Sequence, residues 1–310
     1  MMQSPLPVRD GVNATRLRLP EEGPWETAMD YMMHRWGHID PQGIEDRFDA
    51  GEIVGDAGIP LDRTTPLQRY TFIWYYRTLP PETRIPVELN ILHQDDHLLV
   101  VDKPHFLPTT PGGTYIQESA LVRLRNQLQL PDLIPMHRLD RMTAGILLLS
   151  TNPETRGKYQ VLFEKRQVQK EYECVSAAEP APGYPGVDFP VVVRNRMTKS
   201  RSYLLAEVIE GEPNAETRIE RLRTFAAPGV PVRALYRLEP HSGKTHQLRV
   251  HMASLGLGIV NDAFYPELLD KAPDDYAKPL QLLARGIRFV DPISGSPVEY
   301  RSRLELSEAS

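Results

Sequence analysis

Apolar positions along this chain change period several times, and each change marks an element. Between Pro24 and Trp36, the residues Trp25, Met29, Met32, Met33 and Trp36 recur mostly three or four apart, which predicts a helix. A second short helix is expected over 42–50, then a strand-like Glu52-Ile53-Val54-Gly55 and an aromatic strand from Tyr70 to Arg77. Leu79-Pro80-Pro81-Glu82-Thr83 reads as a linker. Strands are expected at 87–92 and 98–101, and an extended loop runs from Lys103 to Gly113. Ala120, Leu121, Leu124 and Leu128 return to helical spacing. Ile146-Leu147-Leu148-Leu149-Ser150 is continuously apolar up to its serine and reads as a fully buried strand. Asn152-Pro153-Glu154 opens a helix carrying Tyr159, Leu162 and Phe163 on one face. From Gln167 to Ser176 the chain alternates, so Val168, Lys170, Tyr172 and Cys174 share one face of a strand. After a Pro- and Gly-rich loop at 179–190, strands are expected at 203–209, 220–224, 232–238, 280–284 and 286–290. A helix over 245–255 would bury Leu248, Met252 and Leu255. Many short strands with interspersed helices indicate an α+β fold with a mixed, mostly antiparallel sheet.

Composition adds limits. With 310 residues and 41% hydrophobic content, the chain can bury a sizeable core in more than one domain. The formal net charge is -5, so no global basic field draws nucleic acid, and any such contact needs local clusters of Lys and Arg. The 29 prolines exceed the usual share of about 5% and favour defined turns over long helices. Cys174 is the single cysteine, which excludes intrachain disulfides and multi-cysteine zinc sites. No apolar run approaches the ~20 residues that span a bilayer, and Met1 to Pro20 lacks a signal core, so a cytoplasmic protein is the expectation.

The densest chemistry lies at Met136-His137-Arg138-Leu139-Asp140-Arg141-Met142-Thr143-Ala144-Gly145. One carboxylate, Asp140, sits between two arginines on a polar turn leading straight into the buried strand. A rigid strand holds a group at its mouth still, which is what a catalytic carboxylate needs. The plainer reading is a turn residue solvated by its arginines. Two other stretches bear on the choice. One is Leu98-Leu99-Val100-Val101-Asp102-Lys103-Pro104 with Leu107-Pro108, and the other is His241-Ser242-Gly243-Lys244-Thr245-His246-Gln247-Leu248-Arg249-Val250-His251.

In this order and spacing the three stretches, with Lys170-Glu171-Tyr172 between them, resemble the RluA-type pseudouridine synthases over roughly 85–290. The resemblance implies that the glycosidic bond of a uridine in RNA is cut, the uracil turns, and the ring is rejoined through carbon. It implies the pseudouridine synthase sheet core, no metal and no organic cofactor. It assigns Asp140 as the catalytic carboxylate and Arg249 as the cation paired with it. Tyr172 would stack on the extruded uracil, and Arg138 would enter the space the base leaves. Leu248 would line the apolar wall, and Lys170 and His137 would complete the substrate contacts. Two positions depart from the family pattern: Lys244 stands where Arg is usual, and Leu283 stands where a His often precedes Ala284. Both bear on substrate choice more than on chemistry.

The order helix, helix, small strands over 1–80 resembles the S4-like RNA-binding module, leaving 81–306 as the catalytic domain. The two helices are poor in basic residues, with Arg35 and Arg47 at best, so a structural cap and an RNA contact both stay open for this module. Backbone contact elsewhere is expected from Arg194, Arg196, Lys199 and Arg201 and from Lys165 and Arg166, because phosphate binding needs local positive charge. The expected partner is ribosomal or transfer RNA, with a monomeric protein and no membrane. Other readings fail or remain: a P-loop would need Gly where Leu238 stands, and a kinase loop at 137–140 lacks its glycine-rich and D-F-G companions. An RNA-binding protein of the same fold without activity remains the alternative.

Overall fold

Thr27 and Asp30 set the start of the first helix by exchanging side-chain and backbone hydrogen bonds of 3.0 Å each, a capping box. In this computed structural model, which describes residues 4–79, 81–200, 205–226, 229, 231–270 and 272–309, the chain forms two compact units. The first comprises Met1–Thr83 and Val122–Pro131, and the second Arg84–Leu121 and Asp132–Ser310.

In the first unit, strand β1 (Thr15–Arg18) pairs antiparallel with β2 (Phe72–Tyr75), and helices α1 (Ala28–Trp36) and α2 (Pro41–Asp49) lie between them in sequence. Helix α1 starts later than its apolar spacing suggests because the cap at Thr27 ends the preceding loop. Asp40 caps α2, with Pro41 where a missing N–H costs nothing. Met32, Ile44, Phe48, Ile53, Leu67 and Ile73 form the core. Val54 makes only single bridges, to Pro60 and Trp74, so the strand expected at 52–55 does not form. Arg47 is engaged within the unit, donating to the Gly43 carbonyl at 2.6 Å and pairing with Asp40 at 3.2 Å. From Val122 onward, helix α3 (Ala120–Leu128) groups with this unit, and Arg125 donates to the Gly11 carbonyl at 2.9 Å.

The second unit is built on one mixed sheet. Its strands are β3 (Asn90–Gln94), β4 (Leu98–Lys103), β5 (Ile134–Pro135), β6 (Ala144–Ser150), β7 (Gln169–Ala177), β8 (Val191–Lys199), β9 (Ala206–Ile209), β10 (Ala215–Phe225), β11 (Arg233–Pro240), β12 (Leu282–Val290) and β13 (Pro297–Arg301). The order along the sheet is β3-β4-β6-β12-β7-β11-β10-β8-β9, with β13 on β12 and β5 on β6. Every pair is antiparallel except β6 with β12. Helices α4 (Arg156–Glu164) and α5 (Gln247–Ser254) complete the unit. The α+β class with a mostly antiparallel sheet is therefore observed.

Strands β4 and β6 are buried along their whole length, as their apolar runs require. They pair residue by residue from Leu98 with Ser150 to Lys103 with Gly145. Gly145 adopts φ +109, and a Cβ there would stand 2.2 Å from the Ala284 carbonyl oxygen. Only glycine allows β6 to approach β12 this closely. The register of β12 against β7 shifts between Leu283 and Gly286, opposite the stretch of β7 that carries Tyr172. What read as two late strands is one strand with this irregularity.

Candidate active site

Asp140 leaves the turn just before β6, and three side chains from the end of β4 and the loop after it fix the backbone on either side of it. The Thr109 hydroxyl accepts from Leu139 N at 3.1 Å and donates to Leu139 O at 2.8 Å. The Lys103 ammonium donates to the carbonyls of Pro104 and Leu107 at 2.8 Å each and of Arg141 at 3.3 Å. His105 Nδ1 meets the Met142 carbonyl at 2.6 Å, and since a carbonyl only accepts, this nitrogen carries the proton. The stretches around Lys103 and Asp140 are thus one mechanical device: the segment 103–109 holds 139, 141 and 142. Burial drives the Lys103 ammonium down to about 7, against the opposing pull of Asp140. Burial likewise lowers His105 to about 4.

Arg249 projects from α5 and is 2% exposed. The helix was expected to bury one apolar face, but Gln247 to Ala253 are all buried. The polar residues are tolerated because each is satisfied. Gln247 Nε2 donates to Glu216 O and Thr217 Oγ1, both at 2.9 Å, and His251 lies between Thr217 Oγ1 at 2.8 Å and Asn195 Oδ1 at 3.0 Å.

Arg249 stands beside Asp140 as expected, but a second carboxylate is closer. Its close partner is Asp262: Nε donates to Oδ2 at 2.7 Å and Nη2 to Oδ1 at 2.5 Å. Asp140 lies farther off, with Oδ2 3.9 Å from Nη1. Burial disfavours the charge on Arg249, but the Asp262 hydrogen bonds together with the negative charges of Asp262 and Asp140 raise the guanidinium above its ordinary value. The rings of Phe264 and Tyr265 lie 4.8 and 5.3 Å from its central carbon. His246, the residue before α5 with φ 53, is a second neighbour of Asp140, its Nε2 3.8 Å from Oδ2. Its Nδ1 is 3.0 Å from the Tyr265 hydroxyl. Burial lowers the His246 imidazole, and the charge of Asp140 opposes this only in part.

Tyr172 on β7 is half-buried and packs with Met142 against the cluster containing Leu248 and Met252. Burial raises its phenol and the nearby Asp140 carboxylate raises it further, so the ring stays neutral at ordinary pH. Asp140, Arg249, Tyr172 and Leu248 are therefore brought together. Lys170, two residues before Tyr172, reaches the Ser242 carbonyl at 3.4 Å, and burial lowers its ammonium. Arg138 is exposed and makes no ion pair or hydrogen bond among the described residues.

His137 departs from expectation. Its ring stacks on Phe163 with centroids 5.3 Å apart, and Nε2 accepts from Leu148 N at 3.1 Å. Burial lowers it to about 3. The imidazole is tied to β6 through Nε2, which leaves only its Nδ1–H for a substrate. The basic cluster on β8 also divides. Arg194 is paired with Glu216 at 2.8 Å, Arg196 shares its face, and Lys199 points the other way. Arg201 lies outside the described residues. Lys165 and Arg166 are exposed in the turn before β7. Among the described residues, no group of three His, Cys, Asp or Glu is placed to hold a metal ion, and no helix is long and apolar enough to cross a membrane.

The sequence profile of the RNA pseudouridylate synthase family matches residues 97–254, from the start of β4 to the end of α5. The chain is 32% identical over 218 residues to the dual-specificity RNA pseudouridine synthase RluA of Escherichia coli, covering 69% of this chain and 92% of that one. It is 29% identical over 237 residues to an uncharacterized RNA pseudouridine synthase of Synechocystis, covering 76% and 78%. The fold is similar to that of human RNA pseudouridylate synthase domain containing 1, with a TM-score of 0.55 at 24% identity over 72% of this chain and 86% of that one. Lys103, Thr109, Asp140, Tyr172, His246 and Arg249 all fall within the matched stretch, and the chain belongs to the RluA-type RNA pseudouridine synthases.

Proposed function

We propose that the chain converts uridine to pseudouridine in ribosomal or transfer RNA, with Asp140 as the carboxylate that acts on the ribose. The supporting observation is a contrast between two carboxylates around one guanidinium. The Asp262 side chain is 0% exposed and bound on both oxygens, whereas that of Asp140 is 34% exposed and only approached by Arg249 and His246. Of the two, only Asp140 can reach an outside molecule.

The reaction is mass-neutral. The bond from N1 to C1′ breaks, a bond from C5 to C1′ forms, C5 loses a proton and N1 gains one. A carboxylate held against the sugar carries the ribose through the interval when the base is detached. The base must first leave its stack, which costs a few kcal/mol, and an aromatic face returns roughly 1–3 kcal/mol. Tyr172 presents that face, with Leu248 and Met142 closing the apolar wall beside it. Arg138, exposed next to the turn, is positioned to enter the stack in the base's place. Backbone contact falls to Arg196, Lys165 and Arg166, which make no ion pair among the described residues.

In the N-terminal unit the RNA-contacting role falls to four arginines, of which only Arg35 belongs to the helix pair. Arg9, Arg16, Arg35 and Arg69 each lie over an aromatic ring, those of Tyr76, Phe72, Trp36 and Tyr70, and make no ion pair among the described residues. Their charge is available to phosphate.

Site-resolved pseudouridine mapping of total RNA from cells with and without this gene tests the assignment. Loss of one or more specific sites in ribosomal or transfer RNA is expected. An unchanged map, with the purified protein still binding RNA, would leave a binding protein of the same fold.

A further inference from the structure

We propose that Asp262 is a positioning residue of this active site. It holds Arg249 so that the guanidinium stands near Asp140 without clasping it. The inference rests on Asp140 being the acting carboxylate.

A guanidinium presents its five N–H groups in a rigid planar fork and is matched best by a carboxylate meeting two of them at once. In this site that match belongs to Asp262, which takes Nε and Nη2 at 2.7 and 2.5 Å. Asp262 is itself fixed, since Oδ1 also accepts from Phe264 N at 2.8 Å and from Tyr265 N at 3.2 Å. The rings of Phe264 and Tyr265 near the Arg249 central carbon leave the fork little room to turn. What remains for Asp140 is Nη1 at 3.9 Å, beyond hydrogen-bond length.

The division has a chemical consequence. If the same arginine met Asp140 with two N–H groups, the carboxylate would be oriented by the fork and its negative charge drawn into those two hydrogen bonds, leaving it a poorer partner for a ribose carbon. By binding the fork on its other side, Asp262 gives Asp140 a fixed positive neighbour and leaves its oxygens free. Asp262 touches no outside molecule, being fully buried, so its effect passes through Arg249.

The test compares Asp262→Asn and Asp262→Ala with the unaltered protein, using tritium release from bulk RNA labelled at uracil C5. Asparagine keeps the shape of the carboxylate and one acceptor, so the Asn variant carries the test if the Ala variant does not fold. The expected result for Asn is a kcat lowered about a hundredfold, the scale for a displaced catalytic group, with KM within about twofold. In ¹⁵N spectra, the Arg249 Nε–H signal, identified by its loss in Arg249→Lys, exchanges slowly with water in the unaltered protein and rapidly in Asp262→Asn. A kcat equal to that of the unaltered protein, or a loss confined to KM, overturns the proposal, as does an Nε–H that stays protected. Asp140→Asn is measured alongside. Full turnover in that variant removes the acting carboxylate, while the Arg249 signal still reports whether Asp262 holds the guanidinium.

Discussion

The Thr109 hydroxyl holds Leu139 through both of its backbone polar groups, accepting from its N at 3.1 Å and donating to its O at 2.8 Å. Leu139 immediately precedes Asp140, so this clasp sets where the carboxylate leaves the chain. Thr109→Val keeps the shape and removes both bonds, leaving two buried backbone groups unpaired at a cost of about 1–3 kcal/mol in stability. Turnover should fall by roughly ten- to a hundredfold, because small displacements of a catalytic group are expensive. Thr109→Ser should restore most of both. Urea unfolding and single-turnover rates check this, and a Val variant with unaltered turnover would show that the clasp does not position Asp140.

Tyr172 lies opposite the irregularity of β12 and against the cluster that contains Leu248. If its task is to offer a flat face to the extruded base, the ring matters and the hydroxyl does not. Tyr172→Phe should keep most of the activity. Tyr172→Leu should lose roughly five- to a hundredfold, corresponding to about 1–3 kcal/mol of stacking. Equal losses in kinetic assays of the two variants would instead point to chemistry at the phenol.

Acid should destabilise the second unit through histidines buried in neutral form. Burial lowers His251 to about 4, His105 to about 4 and His137 to about 3. In the unfolded chain they titrate near 6.5, so below that pH the unfolded state binds more protons than the folded one. Stability present above pH 6.5 is therefore lost as pH falls towards about 4, by up to about 1.4 kcal/mol per pH unit for each group. His251 shows the cause. Asn195 Oδ1 only accepts, so Nε2 donates to it, and Thr217, which accepts from Gln247, must donate to Nδ1. A second proton on the ring breaks that chain. Denaturant midpoints between pH 7 and 4.5 should fall, and His251→Gln should flatten the slope; a slope equal to that of the unaltered protein would remove His251 from the account.

Much of the fold was legible because its central strands are unambiguous. β4 and β6 are buried on both faces, and only continuous apolar runs survive there. The alternation that put Lys170, Tyr172 and Cys174 on one face was likewise readable. β8 and β13 were not, because their exposed positions carry arginine, lysine, threonine and glutamate at the sheet's margins, where packing imposes little pattern. In the site, the motif residues were visible as residue types at fixed spacing. Apart from its motif, nothing near Arg249 in the sequence signals burial, since a charge is rarely buried without a partner, and its partner lies 13 positions away. That partner, Asp262, is a single aspartate in a loop with no periodicity around it. His246 stands within the stretch 241–251, yet its approach to Asp140 depends on a left-handed backbone conformation that spacing does not reveal.

The most direct test of the central claim is turnover by Asp140→Asn, followed as tritium released from RNA labelled at uracil C5. With folding confirmed by its unfolding midpoint and RNA affinity near that of the unaltered protein, the variant should release none above background. Release at a comparable rate would contradict the assignment of Asp140 as the acting carboxylate.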